Sequence, residues 1–152
     1  MKRIILAAVM MEAVALMAFA ADNTLGTWKY VPGKSNGGNV ASLTQTRENA
    51  DGGVRVTVVG EITDGSKVNT VWVGKYDGKP TKMATSTLDW DTIAAKQIDA
   101  NTVSEERTKT GGKFHSISRF HVSADGKTMT VTTKGTGDTG EAFTRLAVWE
   151  KQ

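Results

Sequence analysis

The chain contains no cysteine. That excludes any disulfide and any lipidated bacterial anchor. An exported domain without disulfides has to be held together by its own core. The only histidines are His115 and His121, and no Gly-x-Ser-x-Gly motif is present. A Ser-His-Asp triad is therefore not marked by the sequence. An excess of positive charge is also missing. Nineteen Lys and Arg less Lys2 and Arg3, against sixteen Asp and Glu less Glu12, leave +2 on the residues after position 20. That balance excludes the clustered basic face of a nucleic-acid binder. No low-complexity tract or linker divides the chain.

One long apolar run is present, from Ile4 to Phe19, broken only by Glu12. It follows Lys2 and Arg3 and ends in Ala18-Phe19-Ala20, a small-x-small cleavage pattern. We read 1–20 as a signal peptide, with its helix outside the fold and cleavage after Ala20. A retained membrane anchor is the other reading. The run is shorter than the ~20 residues that span a bilayer. The expected location is periplasmic or secreted, with no stable anchor after cleavage. Residues 21–152 read as a single domain.

Glycine turns punctuate that domain at Asp51-Gly52-Gly53, Asp64-Gly65, Asp77-Gly78, Gly111-Gly112, Asp125-Gly126 and Gly135 to Gly140. Between them lie runs rich in Val, Thr and aromatic residues, the pattern of consecutive hairpins with type I′ turns. Ten strands are predicted: 24–32, 40–48, 53–62, 67–76, 82–88, 92–98, 102–110, 113–123, 128–134 and 142–151. Alternation assigns their faces. Phe114, Ser116, Ser118, Phe120 and Val122 share one face, and His115, Ile117, Arg119 and His121 the other. Near the end, Phe143, Arg145, Ala147 and Trp149 share a face. Val68, Thr70, Trp72 and Tyr76 do so in the fourth strand. An open sheet of this kind would expose two pairing edges, and closure removes them. The expectation is an all-β fold, an antiparallel up-and-down β-barrel of 8–10 strands. The mixture of aromatic, Ser, Thr and Arg residues on inward faces suits a barrel around a cavity.

Gly26-Thr27-Trp28-Lys29 opens the domain and Ala147-Val148-Trp149-Glu150-Lys151 closes it, with Asp-Gly-Lys turns at Asp77-Gly78-Lys79 and Asp125-Gly126-Lys127. In these motifs the chain resembles the calycin group, the lipocalins and fatty-acid-binding proteins. It is also similar to small secreted bacterial lipocalin-like proteins of unknown function. The resemblance implies a barrel with an interior ligand and a first strand lying beside the last. Two features depart from the fatty-acid-binding pattern. Residues 32–39 are too short and Gly-rich for that family's helical lid. Ala147 and Trp149 stand where its Arg-x-Tyr binds a carboxylate, while Arg145 lies two residues earlier on the same face.

Other constellations weigh less. His115 and His121 would lie ~20 Å apart along one strand, too far to share an ion at the ~2.1 Å distance of a zinc ligand. Asp89 and Asp91 flank Trp90, ~7 Å apart if extended, a spacing near that of an inverting glycosidase pair. Two acids at a turn or cap are the commoner case. Glu105 and Glu106 point to opposite faces. Gly33-Lys34-Ser35 lacks the upstream glycine of a P-loop, because Trp28 holds that position. Among cations, Arg107, Arg119 and Arg145 are the candidates for an anionic head group. Trp28 and Trp149 read first as barrel-closing core, and Trp90 as a rim residue.

The expected function is binding of a small, partly apolar, lipid- or fatty-acid-like molecule, without covalent chemistry, cofactor or metal, by a monomer. The candidate ligand-binding residues are Trp72, Tyr76, Phe120, Arg145 and Trp149. The competing expectation is an envelope protein-interaction or hydrolase-inhibitor module with a filled barrel.

Overall fold

A computed structural model describes residues 21–152. The signal-peptide reading of 1–20 lies outside the described residues. Ten strands follow in chain order: β1 (Gly26–Tyr30), β2 (Val40–Ala50), β3 (Gly53–Ile62), β4 (Lys67–Gly74), β5 (Thr81–Lys82), β6 (Thr92–Asp99), β7 (Thr102–Thr108), β8 (His115–Val122), β9 (Thr128–Thr136) and β10 (Ala142–Lys151). Among the described residues the only helical element is a 3₁₀ turn at Pro32–Lys34.

All pairings are antiparallel, in the order β4-β3-β2-β1-β10-β9-β8-β7-β6-β5. First and last strands thus meet, with Tyr30 opposite Trp149 and Trp28 opposite Lys151. The rings of Tyr30 and Trp149 pack edge to face at 5.4 Å and 75°, a geometry favoured by the aromatic quadrupole. The sheet closes almost completely between β4 and the segment after β5. Val71 and Thr85 form a bridge, with Val71 N–H donating to the Thr85 carbonyl at 2.9 Å.

That closure alters the predicted fifth strand, 82–88. Only its start pairs with β6, through Thr81 and Lys82. The remainder crosses to β4, where Asn69 N–H donates to Thr87 Oγ1 at 3.0 Å. Ser86 Oγ bonds the Trp90 carbonyl at 2.6 Å and bends the chain back. One run of β-type residues is shared between two sheet edges, so it forms a full strand at neither.

Turn chemistry is also more varied than a series of type I′ hairpins. Asp51 and Gly52 both have positive φ, at 42° and 73°, which fits a type I′ turn between β2 and β3. Asp64, Asp77 and Asp125 instead accept the backbone N–H two residues on, at 2.8, 2.9 and 3.0 Å. These are Asx turns in which glycine supplies the left-handed step.

The predicted faces of β8 hold residue by residue. Ser116, Ser118, Phe120 and Val122 are buried; His115, Ile117, Arg119 and His121 face out. The interior divides into two clusters. One gathers Trp28, Tyr30, Phe120, Val122, Met129 and Trp149, and the other Val54, Val56, Trp72, Ile93 and Ala95. Each fully buried large side chain contributes about 1.5–3 kcal/mol relative to exposure.

The two ends of the barrel are built differently. At one end, residues 21–25 cross the bore from β1 to the β6–β7 turn. Asn23 N–H donates to the Ala100 carbonyl at 2.8 Å, and Gln97 Nε2 to the Ala21 carbonyl at 2.9 Å. Thr24 beneath them is wholly buried, and its carbonyl accepts the Trp28 indole N–H at 2.8 Å. This end is plugged. At the other end the loops around 36–40, 83–91, 109–114 and 137–141 surround an opening.

Candidate ligand cavity

A cavity of about 170 Å³ lies inside the barrel toward the open end. Apolar side chains from many strands form most of its wall, including Leu43, Val56, Trp72, Ile93, Phe120 and Trp149. The loops contribute Asn36, Gly38, Asn39, Leu88 and Trp90. Of the sequence candidates, Trp72, Phe120, Arg145 and Trp149 line this space. Tyr76 does not. It sits toward the plugged end, between the two core clusters, where its hydroxyl donates to Asp22 at 2.8 Å.

Strand register sets the polar part of the wall in two rows. In one row Arg107 lies opposite Ser116, Ser116 opposite Gly135, and Gly135 opposite Phe143. In the next, Glu105 faces Ser118, Ser118 faces Thr133, and Thr133 faces Arg145. The Ser118 and Thr133 hydroxyls bond each other at 2.8 Å. Gly135 is required in the first row. A Cβ there would meet the His115 carbonyl, Ser116 and the Phe143 ring. Its absence lets Phe143 lean over β9 toward Phe114.

The rings at this end form a line. Trp90 stacks on Phe114 with centroids 5.5 Å apart, and Phe114 lies 5.9 Å from Phe143. A guanidinium covers each end of it. Arg107 sits 4.9 Å from the Trp90 centroid and Arg145 4.6 Å from that of Phe143. Both distances are within the cation–π range.

Beneath this row runs a chain of paired charges. Arg47 donates to Glu105 Oε1 from both terminal nitrogens at 3.3 Å, and to Tyr76 Oη at 3.3 Å. Arg107 donates to Glu105 Oε2 from Nε at 3.2 Å and from Nη2 at 2.8 Å. Side-chain exposure is 0 % for Arg47, 3 % for Glu105 and 15 % for Arg107. Burial pushes the Glu105 carboxyl up, but the Arg107 and Arg47 guanidiniums outweigh it and hold the group below its ordinary range. It stays ionised at neutral pH with both oxygens occupied, a poor arrangement for a general base. Burial also opposes the charge on Arg47, and Glu105 reverses that and raises its pKa. Tyr76 is raised chiefly by burial.

One carboxylate therefore serves two guanidiniums, and Arg145 has no ion-pair partner among the described residues. The cavity wall carries net positive charge. Among the described residues, six buried side-chain polar atoms lack a hydrogen-bond partner: Gln45 Oε1, Arg47 Nε, Trp72 Nε1, Ser116 Oγ, Arg145 Nε and Trp149 Nε1. All except Arg47 belong to residues lining the cavity. Buried polar atoms without partners are uncommon enough that each calls for a physical reason.

The remaining constellations have other tasks. Asp91 accepts bonds from Thr92 and Thr110 and anchors the start of β6. Its carboxyl is lowered by those hydrogen bonds, Thr92 first, and by nearby Lys82. His115 pairs with Glu106 at 2.7 Å on the outer surface, and His121 meets Thr102 Oγ1 at 3.1 Å. No metal-binding cluster of His, Asp and Glu occurs among the described residues. Arg119 is on the exposed face of β8.

Sequence reasoning missed the partnership of Arg47, Glu105 and Arg107. The signal was present in β7, where Val103, Glu105 and Arg107 alternate onto one face and opposite charges stand two residues apart. The Arg47 partner lies 58 positions away, and only strand order brings it there. No protein-family model matches the chain, and no curated protein matches it.

Proposed function

We propose that this chain is a calycin-like binding protein, acting in the periplasm or outside the cell, that holds a small, partly apolar molecule inside its barrel without covalent chemistry. The observation that carries the reading is the interior cavity, mostly apolar and lined by five residues that each carry a buried polar side-chain atom without a partner. Ligand sites typically combine apolar walls with a few placed polar groups. A ligand that bonded these atoms would remove a cost of about 1–3 kcal/mol for each buried group left unsatisfied. Residues 21–25 plug one end and leave the other for exchange.

Size narrows the class. A cavity near 150 Å³ accepts a benzene-sized molecule, whereas drug-sized ligands occupy roughly 300–1,000 Å³. At about 170 Å³ the space is on the scale of one or two small rings. A long acyl chain would require the loop end to open.

The test is native mass spectrometry of the protein expressed from the full chain, with organic extraction. The same spectrum reads cleavage after Ala20. Tryptophan fluorescence is then titrated with 1-anilinonaphthalene-8-sulfonate and with palmitate. A bound small molecule, or saturable one-to-one quenching, supports the proposal. No bound molecule and no saturable signal up to millimolar concentration would contradict it and move attention to the loops as a protein-binding surface.

A further inference from the structure

We infer that the ligand is a small planar aromatic molecule carrying one anionic group, an aryl carboxylate being the simplest case. The inference rests on the binding proposal above and adds the ligand's chemistry.

Three observations point the same way. The first is hydrogen-bond polarity. Of the unpartnered atoms on residues that line the cavity, Trp72 Nε1, Trp149 Nε1 and Arg145 Nε can only donate, Ser116 Oγ can do either, and Gln45 Oε1 accepts. A wall weighted toward donors selects a ligand weighted toward acceptors. The second is charge. Glu105 is already shared between Arg47 and Arg107, and Arg145 has no carboxylate at all among the described residues. A cationic ligand would meet unbalanced positive charge in a weakly screened interior, and an anion would neutralise it. The third is shape. Trp90, Phe114 and Phe143 form a row of rings with Arg107 over one end and Arg145 over the other. A flat molecule in the cavity gains stacking contact from an aromatic wall, and its carboxylate gains a planar donor in Arg145, which has no carboxylate of its own among the described residues.

These features do not reproduce the Arg-x-Tyr arrangement of the fatty-acid-binding pattern. Ala147 and Trp149 occupy those positions. The anion-binding groups come from β7 and from one pleat further back on β10.

The experiment is calorimetric titration of the protein with 2-naphthoate and benzoate, each compared with its neutral isostere, 2-naphthamide or benzamide, with palmitate in parallel. Each aryl carboxylate is expected to bind at least tenfold more tightly than its amide. In Arg145→Met the preference falls toward one, with Arg145→Lys intermediate because it keeps the charge without the fork. Thermal melting checks that each variant is folded, and the wild-type carboxylate-to-amide ratio needs no variant. Equal affinity for acid and amide, or an unchanged preference in a folded Arg145→Met protein, overturns the inference while leaving a binding protein. Palmitate binding without aryl-acid binding overturns it likewise. If no probe binds at all, the inference falls, and the binding proposal falls with it when the native mass spectrum also shows no bound molecule.

Discussion

The plug network and the cavity lining handle buried polar groups differently. In the plug network, the Trp28 indole N–H reaches the Thr24 carbonyl. Asp22, Tyr76, Arg47 and Glu105 form a continuous bonded chain. Among the residues that line the cavity, the indoles of Trp72 and Trp149 and the Nε of Arg145 have no partner. The same residue types occur in both groups, so composition does not explain the contrast. Around the plug the protein supplies the partners from its own chain, Arg47 Nε excepted. Around the cavity the protein leaves donors unpaired, which is how a site held ready for a ligand differs from a finished core.

The comparison breaks most severely at Glu105. Glu105→Gln leaves Arg47 and Arg107 buried without a countercharge, and about 3–5 kcal/mol of stability is expected to go. Urea unfolding measures it, and a loss below 1 kcal/mol would show that the pairing is not structural. Acid acts on the same group. Its folded pKa lies below its ordinary value near 4.5. The native state therefore binds fewer protons than the unfolded state, and the contribution is fully present above that value. It is lost as pH falls through the lowered folded pKa. Melting temperature is expected to fall with acid in the wild type, and less steeply in Glu105→Gln.

A smaller break is expected at Gly135. Gly135→Val drives a side chain into Phe143 and the His115 carbonyl, at about 1–3 kcal/mol. The cavity rim is disturbed while the plugged half stays intact. Near-ultraviolet circular dichroism with a denaturation curve reads both effects. The smallest change is expected for Arg145→Met. Its Nε has no partner to lose, and an apolar side chain of similar length should leave stability within about 1 kcal/mol. A loss above 3 kcal/mol would mean that Arg145 belongs to the core and not to the site.

Much of the container was legible in the sequence. Glycine turns and period-two alternation located nine of the runs, because both signals are local. β8 shows this best, with every predicted face confirmed. The fifth run was only partly legible, since its division between β6 and β4 depends on where a closing sheet runs out of partners. The site was harder. Trp72, Phe120, Arg145 and Trp149 could be assigned to faces, and the structure lines the cavity with them. Tyr76 belongs to the same run as Trp72, yet the chain leaves β4 at Gly74 and carries Tyr76 to the plugged end. Arg47 and Glu105 were hidden because a buried ion pair between distant strands leaves no local pattern. Phe114 and Phe143 could be assigned to faces, and their meeting in a row depends on the missing side chain at Gly135.

The contrast between the two groups can be read atom by atom from the indole N–H signals of ¹⁵N-labelled protein during titration with 2-naphthoate. The resonances of Trp72 and Trp149 should move with saturation, and that of Trp28, already bonded to Thr24, should stay in place. Shifts centred on Trp28, or no shift at Trp72 and Trp149 while the ligand binds, would contradict a cavity whose unpartnered donors are the binding site.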